Sequence, residues 1–244
     1  MPHPQIKNTD PKIPRDISTE IFIKNWTIYR KIIENDNMSH REGYGKLRDV
    51  LIKEMRRPFT FVDLACGDAY YSSKVLQNTK AEKYIGIDVS EQALTLAKKE
   101  FAGSEIEARF VSADFIDFDK IIEAPADVIW VGFSLHHLDT PDKLEFIKKA
   151  KQKLSDDGVF IIYEPILLEG EDRSMYFKRF KQTFDIHWTG LTKEERESLL
   201  EHVRESEKPE TTKGWIQLGK EAGFTRAEKV FSEKTGLYEI YKYN

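Results

Sequence analysis

The sequence holds one cysteine among 244 residues, Cys66, so no internal disulfide is available and a reducing cytoplasm is the expected setting. No apolar run approaches the ~20 residues that a membrane-spanning helix needs. The first 16 residues contain four prolines and no apolar block, which predicts an extended polar arm and not a signal peptide. An excess of basic charge is missing too. The formal net charge is −4, whereas nucleic-acid binders rely on cationic surface to hold phosphates, so the composition argues against an RNA or DNA substrate. What is present is ordinary for a folded chain: 40% apolar, 33% charged and 12% aromatic residues, at a length that fits one α/β domain with a full core.

Glycine is sparse where a ligand turn is expected, and that place organises the chain. Phe61-Val62-Asp63-Leu64-Ala65-Cys66-Gly67-Asp68-Ala69-Tyr70 starts as a short apolar run, passes an acid and ends in small residues before a helical pattern takes over. This predicts a buried strand delivering a tight turn into a helix N-terminus, a natural seat for a ligand against bare backbone. Ahead of it, Phe22, Trp26, Tyr29 and Ile33 recur on one face of a helix expected over 18–34. Ser39 with Glu42 predicts a capping box for a second helix.

Beyond the turn the chain alternates. Strands are expected at 59–64, 83–87, 106–111, 126–131 and 159–163, with helices between them. Ser90 can cap one of these helices, and Thr140-Pro141 can open another that ends where Asp156-Asp157-Gly158 turns into the fifth strand. Near-continuous apolar strands separated by helices indicate a parallel sheet covered on both faces. After Pro165 come three helical stretches, one with Tyr176, Phe180 and Phe184 on a shared face and one opened by a Thr192–Glu195 capping box. Segments 227–232 and 237–243 then pair as an antiparallel hairpin.

Asp63, Asp88 and Asp114 fall at the ends of the first three strands, about 25 residues apart, and open parallel sheets bind ligands at that edge. Over residues 59–164 this pattern resembles the class I S-adenosylmethionine-dependent methyltransferases of the small-molecule type. The resemblance implies an α/β fold: a doubly wound, mostly parallel seven-stranded sheet with an antiparallel C-terminal hairpin, Rossmann-like, with helical lid segments. It implies one domain over 1–244: an extended arm 1–16, a helical lid 17–57, a cofactor-binding core 58–165, a lid insertion and last helix 166–222, and the hairpin 223–244. The implied cofactor is S-adenosyl-L-methionine, which leaves as S-adenosyl-L-homocysteine. Asp63, Ala65, Cys66 and Gly67 would form the turn under its methionine part. Asp88, with Val89 beside it, would meet the ribose hydroxyls, Asp114 and Phe115 the adenine, and Phe133 would open the loop beside the methyl group. The family's turn carries three glycines, but here Ala65 and Ala69 stand at the first and third positions, so left-handed angles are expected to be avoided at both. Dinucleotide-binding oxidoreductases also place an acid after the second strand, yet residues 65–70 lack their G-x-G-x-x-G.

Methyl transfer needs the nucleophile in line, water excluded and, in some reactions, a base. His137 and Glu164, just beyond strand ends, are the candidates for that base. The plainer readings are a helix-entry histidine and a carboxylate that satisfies backbone. His136, His137 and Asp139 have no further partner at ligand spacing, so no metal is expected. In this family the flanking segments commonly cover the substrate. That makes Trp26, Tyr29, Arg30, Arg41 and Tyr44, with His40, and on the other side Tyr176, Phe180 and Trp188, the substrate-side candidates, although a helical aromatic stripe also suits a core. Such a lid suits a small, partly apolar or aromatic metabolite methylated at O, N or S, with room beside Arg30 and Arg41 for an anionic group. The alternatives are a macromolecular methyltransferase and a non-catalytic cofactor-binding protein. Against base-methylating enzymes, Gly132-Phe133-Ser134-Leu135 lacks their Asn/Asp-Pro-Pro-aromatic motif. The oligomeric state is left open.

Overall fold

The computed structural model describes residues 26–244; the expected arm at 1–16, the start of the first expected helix with Phe22, and the Trp26 side chain lie outside the described residues. Helices α1 (Trp26–Glu34) and α2 (His40–Glu54) lead into β1 (Phe59–Leu64). The alternation then runs α3 (Tyr70–Leu76), β2 (Ala81–Asp88), α4 (Glu91–Glu100), β3 (Glu107–Ser112), a short α5 (Phe118–Ile121), β4 (Ala126–Gly132), α6 (Thr140–Lys153) and β5 (Leu154–Leu167). Helices α7 (Arg173–His187) and α8 (Lys193–Ser206), a two-residue β6 (Glu210–Thr211) and α9 (Thr212–Glu221) precede the hairpin β7 (Ala227–Ser232) and β8 (Tyr238–Tyr243).

The strands lie in the order β3-β2-β1-β4-β5-β8-β7, with β6 beside the end of β5. Strands β1 to β5 pair in parallel, and β8 runs antiparallel to both β5 and β7. This is the expected doubly wound sheet with its closing hairpin. Strand order reverses between β1 and β4, which puts a crevice at their carboxyl ends. Alternation along each strand sends side chains to opposite faces. Phe61, Val128, Trp130, Ile161 and Tyr163 pack with Leu47, Phe180 and Val203 on one side. Val62, Ile129, Val131 and Phe160 pack with Phe146 and Trp215 on the other. Helix signals at Ser90 and Thr192 act as expected: Ser90 accepts from the Ala93 amide, and Thr192 with Glu195 closes a reciprocal capping box.

Three local expectations are corrected. Ser39 makes no side-chain cap, because its own backbone is left-handed at φ 54°, which turns the hydroxyl away from the α2 amides. The Asp156-Asp157-Gly158 turn is absorbed into β5 as a bulge, the pairing passing from Ala126–Leu154 to Val128–Val159. Asp139, one residue earlier than expected, takes the N-cap position of α6 without a side-chain hydrogen bond, and Pro141 lies in the first turn.

Gly43 explains why a helix tolerates glycine so near its start. A Cβ there would fall within the ring of Tyr163 on β5, whose hydroxyl donates to the carbonyls of Met38 (3.1 Å) and Ser39 (3.3 Å). The absent side chain lets α2 sit flat on the sheet. Gly43→Ala should therefore lower unfolding stability by ~1–3 kcal/mol, the range for overpacking a closed core, as read from the urea midpoint. Gly45→Ala, in the same helix with open space around it, is the control and should raise stability by up to ~1 kcal/mol.

Candidate active site at the carboxyl ends of the strands

The turn after β1 is left-handed at three alternate points, Ala65 (φ 55°), Gly67 (φ 55°) and Ala69 (φ 53°). The expectation that the two alanines avoid this region is overturned. Each costs ~1–2 kcal/mol relative to right-handed backbone, and long-range hydrogen bonds hold them there. The Cys66 amide donates to the Ile87 carbonyl (3.1 Å) and the Gly67 amide to Asp88 Oδ2 (2.8 Å), so the turn is tied to the end of β2. The Ala69 amide donates to the Cys66 carbonyl (3.0 Å), closing the loop onto α3. Gly86 on β2 leaves the room that Cys66 occupies, since a Cβ there would lie 2.9 Å from Sγ. Burial pushes the Cys66 thiol well up, so it stays protonated.

Asp63, 2% exposed, lies beneath this turn and accepts from the Tyr84 hydroxyl at 2.8 Å. Burial pushes its pKa up to about 7, against hydrogen bonds from Ser72 and Tyr84. Asp88 accepts from Gly67 through Oδ2 and from the Ser90 amide through Oδ1, both at 2.8 Å. Each oxygen keeps a second lone pair for an outside donor. Burial raises the Asp88 pKa as well. Val89 is half-buried between Asp88 and the α4 cap. Asp114 is exposed and accepts from the Ile116 amide (3.1 Å), while the ring of Phe115 meets that of Phe146 edge-on at 5.5 Å.

The loop after β4 is built around Glu164. This fully buried carboxylate accepts from the amides of Ser134 (3.1 Å) and Leu135 (2.9 Å) through Oε1 and of His136 (3.2 Å) through Oε2. His136 Nδ1 also lies 2.7 Å from Oε2. Burial pushes the Glu164 pKa up to about 7, opposed by those three amides. Such a group organises the loop from behind. His136, which sequence reasoning weighed only as a metal ligand, is its side-chain partner; no periodic signal marks a pair 28 residues apart. The His137 ring lies 4.1 Å from that of His136 and 5.2 Å from that of His202 on α8. Among the described residues no three His, Cys, Asp or Glu side chains form a metal site. Phe133 is left-handed (φ 54°), a rare state for a bulky residue, and its amide donates to the Tyr163 carbonyl at 2.8 Å.

Of the substrate-side candidates, Tyr29, Arg30, Arg41 and Tyr44 from the N-terminal helices converge on the turn. Tyr29 on α1 is held un-ionised by burial, then by the charges of Tyr44, Asp68, Asp88 and Asp63. Tyr44 stacks on Tyr71 of α3 at 5.1 Å and meets Trp130 at 5.3 Å. A groove of about 620 Å³ opens beside them, lined by Arg30, Arg41, Asp68, Tyr70, Tyr71 and Lys74 among others. Tyr176, Phe180 and Trp188 go elsewhere: they are 2–4% exposed in the sheet's core cluster, and Phe180 and Trp188 pack on each other at 5.6 Å. The Tyr176 hydroxyl donates to Glu207 at 2.6 Å.

A seven-stranded sheet in this order, with a backbone cradle after β1 and acids after β1, β2 and β3, defines a Rossmann-like methyltransferase fold. Residues 61–158 match the family model Methyltransf_25, described as a methyltransferase domain. Carboxy-S-adenosyl-L-methionine synthase 1 of Yersinia pseudotuberculosis is 23% identical over 208 residues, which span 81% of this chain and 85% of that protein. Among solved structures, magnesium protoporphyrin IX methyltransferase (ChlM) of Synechocystis with bound SAH, the homocysteine product, aligns with TM-score 0.66 and 14% identity over 93% of this chain and 97% of that one. The plantazolicin methyltransferase BpumL with SAH aligns with TM-score 0.67 and 15% identity, covering 93% and 92%. The chain spans 55% of the length of a further neighbour from Nostoc punctiforme.

Two outcomes follow from this geometry. Ala65→Gly should stabilise the protein by ~0.5–1 kcal/mol in urea titration, because it relieves left-handed strain without touching the Cys66 and Gly67 amides. A loss of stability would contradict the strain. Asp63 takes up a proton as pH falls through about 7 and loses the negative charge that a cationic ligand needs. Calorimetric affinity for S-adenosylmethionine should thus be flat above pH 7 and fall by up to ~tenfold per unit below it. In Asp63→Asn it should be weak and nearly independent of pH.

Proposed function

We propose that the protein transfers the methyl group of S-adenosyl-L-methionine to an O, N or S atom of a small metabolite in the cytoplasm. The observation that carries this reading is the left-handed cradle at Ala65, Gly67 and Ala69 with Asp63 under it and Asp88 locked to its edge. Small residues and exposed amides suit the methionine part of the cofactor. The free lone pairs of Asp88 suit two ribose hydroxyls, and Asp114 with Phe115 borders the adenine side with Val89 opposite. Asp63 places a buried acid where positive charge arrives, and no phosphate would be welcome there. When bound, the cofactor supplies an electrophilic methyl group on a sulfonium.

Phe133 faces the methyl side, and Glu164 keeps its loop in register. His137 stands beyond that loop as a base candidate, whereas the three amides on Glu164 favour an anchoring role for the carboxylate. The acceptor enters by the groove between α1, α2 and α3. Arg30 there is paired with the exposed Glu34 (3.2 Å) and Arg41 approaches Asp36 (4.0 Å). Such surface pairs contribute little, so a carboxylate or phosphate on the substrate can draw either guanidinium away. Tyr70 and Tyr71 give the groove an aromatic wall for a ring, with Tyr44 stacked on Tyr71. The groove's size suits a metabolite better than a macromolecule.

A second reading is favoured by the Yersinia relative, whose match spans most of both chains: the cofactor itself would be the acceptor, its methyl carbon losing a proton and taking up carbon dioxide released by a carboxylic-acid metabolite, and would leave as carboxy-S-adenosyl-L-methionine. One experiment separates the two. Purified protein is incubated with methyl-labelled S-adenosylmethionine and a cell metabolite extract, and the products are resolved by mass. Label on a metabolite with S-adenosylhomocysteine released supports methyl transfer. A carboxylated cofactor that retains the label supports the alternative, and binding with neither product refutes both. Asp88→Ala should weaken cofactor binding at least tenfold by calorimetry, ~1.4 kcal/mol or more. Unchanged affinity would remove the cofactor assignment.

A further inference from the structure

His40, the first residue of α2, is 2% exposed, and neither of its ring nitrogens has a hydrogen-bond partner among the described residues. A neutral imidazole carries one donor and one acceptor, and leaving both unpaired in an interior is unfavourable unless something else satisfies them. Its recorded neighbours are aromatic rings. The ring stacks on Tyr71 at 5.4 Å with planes 8° apart, lies 5.2 Å from the ring of Phe133, and reaches Tyr44 at 6.2 Å. Tyr71 belongs to the first turn of the helix behind the cradle, and Phe133 opens the loop after β4. His40 therefore sits between the two elements that the methyl-transfer reading sets beside the methyl group, next in sequence to Arg41, which lines the groove.

The position is held from outside the helix. Ser39 is left-handed, the Tyr163 hydroxyl grips the carbonyls of Met38 and Ser39, and Gly43 seats α2 against the Tyr163 ring. Three devices thus fix the backbone around a side chain that contributes no bond of its own. Burial holds the imidazole neutral, with its pKa lowered to about 3.

We infer that His40 is the residue that receives the acceptor: a ring nitrogen takes the hydrogen bond of a substrate hydroxyl in the groove and accepts its proton as the methyl group is transferred. The inference rests on the methyl-transfer reading. In that step a lone pair on the hydroxyl oxygen forms the new bond to the methyl carbon. The carbon–sulfur bond breaks with its electron pair going to sulfur, and the hydroxyl proton passes to the imidazole. One positive charge disappears from sulfur as another appears on His40, so the charge within this dry site is conserved. The product is a methyl ether, and the imidazolium returns its proton to water when the site opens.

The test compares the wild-type chain with His40→Phe, which keeps the ring stack and removes both nitrogens. Each is given methyl-labelled S-adenosylmethionine and the same metabolite extract. Labelled product, calorimetric affinity for S-adenosylhomocysteine and the thermal midpoint are all measured. Loss of transfer by at least ~100-fold, the usual scale for a proton-transfer group, is expected with homocysteine-product affinity within about twofold. The midpoint should rise, because an unsatisfied polar ring has been removed from the interior. Transfer within about threefold of wild type overturns the inference. So does a loss of transfer that comes with a lowered midpoint or equally weakened S-adenosylhomocysteine binding, since that is what a structural residue would do. If the wild type labels nothing, the methyl-transfer reading itself fails and takes this inference with it, an outcome distinct from the other two.

Discussion

The amides of Cys66 and Gly67 both point at the end of β2, one to the Ile87 carbonyl and one to the Asp88 carboxylate. These two bonds force the chain after β1 into a path that local sterics resist, with Ala65 and Ala69 in left-handed backbone. The site depends on this. The same path presents small residues and open backbone to a ligand, and the same carboxylate that pins the turn also keeps lone pairs free for it. Strain at this point is tolerable because β1 and β2 are paired in register from Thr60 to Leu64 beneath it.

The second half of the site is organised in the same way from the other side of the switch point. Glu164 collects three successive amides of the loop after β4 and so sets the direction in which Phe133 leaves the sheet. Tyr163, its neighbour in β5, points to the opposite face and fixes the start of α2. Two adjacent residues of one strand thereby position the loop after β4 and the start of α2, the two sides of the proposed acceptor site. Strand alternation makes this possible, since consecutive side chains reach opposite faces.

The charge distribution is consistent with a cationic ligand. Asp63, Asp88 and Glu164 are all raised by burial, so each is an acid whose ionised form is incompletely compensated within the protein. For Asp63, the folded state favours the protonated acid, and its contribution to stability is full at low pH and is lost as pH rises through about 7. A sulfonium and an ammonium nearby would restore the balance. The fold neighbours are named for substrates as different as a plantazolicin and magnesium protoporphyrin IX, so the fold by itself does not choose the acceptor.

The alternation of apolar strands with helices, the acids at the strand ends and the capping signals at Ser90 and Thr192 were legible in the sequence because each depends on neighbours a few residues away. The position of Asp63, Asp88 and Asp114 followed from the same periodicity. The left-handed angles of Ala65 and Ala69 were not legible, because intrinsic preference opposes them and only contacts with β2 impose them. Likewise Tyr176, Phe180 and Trp188 have a spacing that serves a core or a pocket equally well, and packing against the sheet chose the core. The partnership of His136 with Glu164 joins residues 28 positions apart, and His40 meets Phe133 across a still longer stretch. Sequence alone therefore determined which elements form and which edge of the sheet carries the chemistry. Tertiary structure decided which side chains face one another there, because burial and long-range hydrogen bonds override the local preferences that a sequence displays.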